Sequence, residues 1–147
     1  TPERKFIREL TDRKNTMYLD DWLKNAAMNF YSLEYAWKKG EHPKRGEFNP
    51  DFFIKQGERI FVTEIKDDGE ISDPSPENVK KHEYARTHFE RLNNWLEKDA
   101  LPIRYQFNMV SPRDYNSFFQ KLREMDLVGY RSELDVTMIN AGTKAGG

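Results

Sequence analysis

Two stretches rich in aromatic and β-branched residues, Phe48 to Lys55 and Arg59 to Lys66, flank Gln56-Gly57 and together predict a β-hairpin. A hairpin constrains everything around it, because the length of its turn decides which side chains share a face. With Gln56 and Gly57 as a two-residue turn, Lys55 opposes Glu58, and counting back sets Asp51 opposite Val62. Side chains alternate along a strand, so Asp51, Val62, Glu64 and Lys66 then occupy one face. The Asp51–Glu64 diagonal would span about 7 to 8 Å of backbone. A three-residue turn would send Asp51 to the opposite face.

Two converging carboxylates suit a hard cation such as magnesium, or manganese in its place, which keeps several waters and takes phosphate oxygens in its remaining positions. Such an ion polarises a phosphodiester and lowers the pKa of a bound water. Lys66, two residues beyond Glu64, would stand beside that water or a non-bridging oxygen and offset transition-state charge. The plainer account is a solvated Glu-Lys pair at a hairpin end, since a bare Glu-x-Lys is common in a chain that is 33% charged. Pro50-Asp51 opening one strand and Glu64-Ile65-Lys66 closing the next is much rarer, and points to metal-dependent cleavage of DNA or RNA.

Around the hairpin the chain reads as alternating helices and strands. Thr1 and Pro2 suit the start of a helix to Arg13 with Phe6, Ile7 and Leu10 on one side. Asp20 to Asn29 is a weaker helical candidate around Trp22 and Leu23. Tyr31 to Trp37 alternates as a first strand. After a polar loop from Asp67 to Pro76, Glu77 to Lys98 predicts the strongest helix, with His82, Ala85, Phe89, Leu92 and Leu96 along one stripe. Ile103 to Val110 predicts a fourth strand, and Ser111-Pro112 opens a helix to about Met125. The order is helix, three strands, helix, strand, helix. Past it, Val136 to Ile139 suggests a short strand, and Ala141 to Gly147 a mobile end. The division is therefore a domain over 1–125 and a partly mobile extension over 126–147.

With 147 residues, 37% hydrophobic and 14% aromatic, the chain can build one cored domain. It has no cysteine, which removes disulfides and zinc-thiolate sites and fits a reducing cytoplasm. No apolar run reaches membrane-spanning length, and no signal peptide is visible. A start at Thr-Pro-Glu without an initiator Met fits a piece cut from a longer polypeptide. The net charge of −1 argues against coating nucleic acid by charge alone, although Lys38, Lys39, His42, Lys44 and Arg45 gather in an expected loop before Asp51 and are candidates to grip phosphates there. Each of them also fits a solvated turn.

Asn49-Pro50-Asp51-Phe52-Phe53, Val62-Thr63-Glu64-Ile65-Lys66 and the order of elements resemble the PD-(D/E)xK nuclease superfamily. Within it the chain is most similar to the C-terminal nuclease domain of type III restriction enzyme Res subunits and related helicase-nuclease proteins. The resemblance spans roughly residues 2 to 124. It also takes in Glu34 through Gly40, Glu77-Asn78, Lys81 through Tyr84-Ala85, His88-Phe89, Leu92-Asn93 and Ser111 through Phe119.

What the resemblance implies is a restriction-endonuclease-like α/β fold with an αβββαβ core, in which helices flank a central mixed four-stranded sheet. Asp51 and Glu64 would be magnesium ligands, the Ile65 carbonyl a third, and Lys66 the aid to the water. A first-helix glutamate often joins them: Glu3 suits that helix best, Glu9 is its rival, and Glu34 has a weaker claim. Lys81 matches a recurring lysine and would touch phosphate or the acids. His82 would do likewise, although a histidine on an apolar stripe more often belongs to the core. An upstream helicase or translocase and a methyltransferase specificity subunit would be the partners on DNA. This chain has no Gly-x-x-x-x-Gly-Lys-Ser/Thr phosphate loop and cannot run that motor itself. Loss of catalysis on the same fold, leaving a nucleic-acid-binding or scaffold module, is the alternative.

Overall fold

A computed structural model describes residues 1–25, 33–39 and 42–146, with 33–39, 42–48 and 145–146 described through their backbone alone. In chain order the elements are α1 (Pro2–Thr11), α2 (Arg13–Thr16), β1 (Asp21–Lys24), β2 (Leu33–Lys39), β3 (His42–Phe48), β4 (Phe52–Gln56) and β5 (Arg59–Ile65). They continue with α3 (Gly69–Ser72), α4 (Pro76–Lys98), β6 (Arg104–Val110), a 3-10 turn (Pro112–Asp114), α5 (Tyr115–Arg123) and α6 (Glu133–Gly146). The fold is α/β. Four strands form an open mixed sheet in the order β1-β4-β5-β6, antiparallel except for the parallel pair β5 and β6, which α4 connects. β2 and β3 form a separate antiparallel pair beside α4.

The helix starts follow their caps. Thr1 Oγ1 accepts the Arg4 amide at 3.3 Å with Pro2 in the first turn, and Ser75 Oγ accepts the Asn78 amide at 3.2 Å with Pro76 next to it. Both use side-chain oxygens to satisfy amides that have no partner one turn back.

The hairpin turn is displaced by one residue from the expected place. Gly57 and Glu58 form it, with Gly57 at φ +60°, so Gln56 pairs with Arg59 and Lys55 with Ile60. Gln56 stays in the strand because its buried amide donates to the Tyr18 carbonyl at 2.7 Å and the Leu122 carbonyl at 2.9 Å, tying the strand end to α5. The register thereby moves by two residues and the faces are unchanged. Continued by one step, it sets Asp51 against Glu64 rather than Val62.

Two other expectations change. Asp21–Lys24, expected within a helix, is the first strand of the core sheet: it pairs with β4, and Trp22 packs 6.1 Å from Phe52. An open strand edge and an aromatic partner outweigh a weak helical period there. Tyr31 to Trp37, expected as that first strand, overlaps β2, which pairs with β3 outside the main sheet. The three-strand order before the long helix is kept by β1, β4 and β5.

The sheet is covered on both sides. On one, Phe52, Ile54, Phe61, Ile65 and Val110 pack against Phe6 and Leu10 of α1 and Phe118, Phe119 and Leu122 of α5. The Phe6 ring lies 5.0 Å from Phe52, 5.3 Å from Tyr115, 5.7 Å from Phe118 and 5.1 Å from Phe119. On the other, Val62, Phe107 and Met109 meet Val79, Ala85 and Phe89 of α4 and Leu134 and Met138 of α6. Among the described residues no helix is long and apolar enough to cross a membrane.

α6 overturns the expected strand at Val136 to Ile139, and its helix runs through most of the end expected to be mobile. Its entry explains why. Ser132 Oγ accepts the Asp135 amide at 2.8 Å, Asp135 Oδ2 accepts the Ser132 amide at 2.9 Å, and the helix that starts there buries Leu134 and Met138.

Leu134 is fully buried and Val136 is 45% exposed. Leu134→Ala is expected to cost about 2–5 kcal/mol in urea denaturation, and Val136→Ala within about 0.5 kcal/mol of nothing. Equal, small losses in both variants would mean that α6 does not contribute to the core.

Candidate active site

The crossover from β5 to β6 gathers the chemistry at one end of the sheet. A parallel pair obliges the chain to travel back beside the sheet, so α4 starts near the C-terminal end of β5. Side chains of Val62, Glu64 and Lys66 alternate toward the α4 side, opposite Phe61 and Ile65. Lys81, in the second turn of α4, reaches the same place.

Asp51 is held by its backbone before its carboxylate is considered. Its amide donates to the Thr63 carbonyl at 2.9 Å, and its carbonyl accepts the Asn25 amide at 2.8 Å. Oδ2 then accepts the Ile65 amide at 2.6 Å, which clamps the acid to the end of β5. Lys66 is anchored likewise, its amide donating to the Val110 carbonyl at 3.0 Å, while Nζ lies 3.5 Å from Glu64 Oε1. Glu64 itself is 6% exposed, and its Oε2 is buried with no hydrogen-bond partner among the described residues.

The electrostatics are those of two acids forced together in an apolar layer. Burial first, and the Asp51 charge second, push the Glu64 carboxyl from its usual 4.5 up to about 8 against the pull of Lys66 and Lys81. Asp51 is raised too, by burial and by the charge of Glu3, while the Ile65 amide and Lys66 hold it down. The Asp51 charge thus acts directly on Glu64, which disfavours ionising both carboxyls together. Lys81 is lowered, chiefly by burial and also by Lys66, with Glu64 opposing. The site therefore holds two acids and a lysine, Lys81, whose charged forms are each disfavoured by burial, with Lys66 beside them.

These residues fit a hydrated divalent cation. The acids supply hard oxygen donors, Glu64 Oε2 is an orphaned buried acceptor, and a cation would relieve their mutual repulsion. Among the described residues no group of three or more His, Asp or Glu is placed to hold a metal ion, so the pair would leave most of the coordination shell to water and substrate.

The other candidates fall in different places. Glu3 lies at the rim, paired with Lys24 Nζ at 3.0 Å and acting on Asp51 through its charge. Glu9 is engaged elsewhere, accepting Asn15 Nδ2 at 3.0 Å and standing 4.0 Å from Lys14 Nζ. Ile65 is placed by the hydrogen bond that its amide donates to Asp51 Oδ2. Lys44 and Arg45 belong to β3, paired with Trp37 and Ala36, rather than to a loop, and their side chains, like that of Glu34, lie outside the described ones.

His82 is in the core at 1% exposure: Nδ1 accepts Arg86 Nε at 2.9 Å, and Nε2 meets Asp135 Oδ1 at 2.7 Å. Neither ring nitrogen is turned to the acid pair, because successive helix residues point about 100° apart and Lys81 takes that direction.

Asp135 was not anticipated. Its buried carboxylate meets His82 and accepts from the Met109 amide at 2.8 Å, Asn108 Nδ2 at 2.7 Å and the Ser132 amide at 2.9 Å. The sequence signal is Ser132-Glu133-Leu134-Asp135, a capping pattern ahead of an apolar run.

A carboxyl with a folded pKa above its unfolded one keeps its proton in the native state while the unfolded chain ionises, so stability falls as pH rises. For Glu64 the fall runs from about 4.5 to about 8 and then levels. In metal-free buffer, Glu64→Gln is expected to gain stability relative to wild type progressively from pH 5 to 8. Denaturation curves at stepped pH check this, and a constant difference across that range would contradict it. No protein-family model, curated protein or solved structure matches the chain, which leaves the geometry and chemistry of these side chains as the ground for assigning a function.

Proposed function

We propose that the chain is a magnesium-dependent endonuclease domain that hydrolyses DNA phosphodiester bonds, a PD-(D/E)xK nuclease of the kind found in type III restriction enzymes and helicase-nuclease proteins. The supporting observation is the pair of half-buried Asp51 and buried Glu64 at a strand end, with an unpartnered Glu64 oxygen and flanked by Lys66 and Lys81. Burial raises both carboxyls and the Asp51 charge raises Glu64 further, an arrangement whose cost is offset when a cation is held between them.

When bound, magnesium would polarise the scissile phosphate and bring a water into the range where it ionises near neutral pH. The chain's own share is positional and electrostatic. The hydrogen bond from the Ile65 amide aims Asp51, the burial of Glu64 keeps its carboxyl in a low-dielectric setting, and Lys66, 3.5 Å from Glu64, would orient the attacking water. Lys81 adds a second cation for the charge that builds on the phosphoryl oxygens. Glu3 at the rim would steer a second metal or a water rather than complete the acid pair, and the Ile65 carbonyl would be a further ligand. A motor region of the same polypeptide and a methyltransferase specificity subunit would deliver the DNA, in the cytoplasm.

The finding of two converging acids rather than three among the described residues favours a second reading, a nucleic-acid-binding module that cuts only when a partner completes it.

Plasmid nicking by the purified domain in magnesium separates these readings. Wild type is expected to nick, with Asp51→Ala, Glu64→Ala and Lys66→Ala each slower by about 10²-fold or more. Equal activity in all four proteins would refute the assignment, and no activity in any, with and without manganese, would favour the partner-dependent module.

A further inference from the structure

A second constellation lies away from the acid pair, over the outer edge of β6 between α4 and α6. A cavity of about 180 Å³ opens there, lined among others by Arg86, Gln106, Asn108, Gly129, Arg131 and Asp135. That is several times the ~30 Å³ share of one water, enough for a small polar group. Two guanidinium groups face this cavity within each other's electrostatic reach.

Their setting differs from that of ordinary surface arginines. Asp135 is saturated by the Met109, Asn108 and Ser132 donors and holds His82 by Nε2, which leaves His82 Nδ1 to accept Arg86 Nε at 2.9 Å. Arg86 is thus gripped by Nε alone, and its two terminal nitrogens make no hydrogen bond among the described residues. A guanidinium fixed in that way presents a two-nitrogen fork, which matches the oxygens of phosphate.

Arg131 is exposed and has no hydrogen bond or ion pair among the described residues. It is delivered by the turn at Gly129, where φ is +84° and the amide donates to Gln106 Oε1 at 2.8 Å. The carboxylates in reach are occupied or peripheral. Asp135 is turned inward to its donors, Glu83 is 3.4 Å from Lys80 Nζ, and Glu90 is exposed on the helix one turn beyond Arg86. Burial disfavours the Arg86 cation, the Glu83, Asp135 and Glu90 charges favour it, and the neighbouring Arg131 charge opposes it, a repulsion that an anion between the two guanidinium groups would relieve.

We propose that this cavity is a phosphate-binding site in which Arg86 and Arg131 grip one phosphoryl group. The site rests on the nuclease reading only for the source of the phosphate. A backbone phosphate of the bound strand and a free phosphate present the same oxygens.

Arginine Nε–Hε NMR of the whole domain in chelator, with inorganic phosphate titrated at constant ionic strength, reads the site without cleavage. The Arg86 resonance is expected to shift saturably, and Arg131→Gln, at an exposed position that leaves the core intact, to weaken binding on the order of ten-fold. A short single-stranded DNA in the same buffer identifies the source. If a backbone phosphate is the ligand, Arg131→Gln also weakens DNA binding and lowers its salt slope by about 1. DNA binding that ignores Arg131 while inorganic phosphate still saturates assigns the site to free phosphate. A shift that does not saturate, or that Arg131→Gln leaves unchanged, overturns the proposal. Because no turnover is read, saturable phosphate binding in a domain that never nicks DNA would fail the nuclease reading alone.

Discussion

Burial of β5 on both faces is the constraint from which the rest follows. Phe61 to Ile65 are all buried, with Phe61 and Ile65 facing α1 and α5 while Val62 and Glu64 face α4. A central strand covered on both sides must be apolar along its length, and this one ends with a glutamate in an apolar layer. The cost of desolvating that carboxylate is what raises its pKa, draws in Lys66 and Lys81, and leaves an oxygen without a partner. The same covering requires two helix layers, which is why α4 begins over the strand end and why α6 is needed to close its side of the sheet.

The two polar centres of the molecule answer burial in opposite ways. Asp135 is as deep as Glu64 yet meets four donors from α4, β6 and the start of α6, so its charge is satisfied within the chain. It also serves the exposed edge of β6, taking the Met109 amide, while Ser132 Oγ donates to the Met109 carbonyl, and Asn93 does the same for Tyr105. Glu64 has a lysine at 3.5 Å and another acid beside it, and its needs are not met by the chain alone. A saturated carboxylate builds structure; an unsaturated one beside another acid is a candidate for chemistry.

Much of this was legible in the residues. The face shared by Asp51, Val62, Glu64 and Lys66 follows from a two-residue turn, and it survived the shift of that turn from Gln56-Gly57 to Gly57-Glu58 because a two-residue change of register keeps the parity. The long helix was written in its apolar stripe and in Ser75-Pro76. The first core strand was not legible, since four mostly exposed residues carry no period of their own and are defined by the β4 edge they pair with. α6 was misread because Val136 to Ile139 looks β-like locally, while the stripe that matters, Leu134 and Met138, is only apolar relative to α4 and β6.

The sequence by itself determined the period-two alternation that puts two acids and a lysine on one face, the caps that start the helices, and the long helix between β5 and β6. Those are properties of neighbours along the chain. Only the tertiary structure decided that Lys81 joins the acids while His82 turns to Asp135, that Glu3 stays at the rim with Lys24, and that Arg86 is held by one nitrogen beside Arg131. Those outcomes depend on how α4 lies across the sheet and on which donors surround each carboxylate, and both are set by packing between segments far apart in the chain.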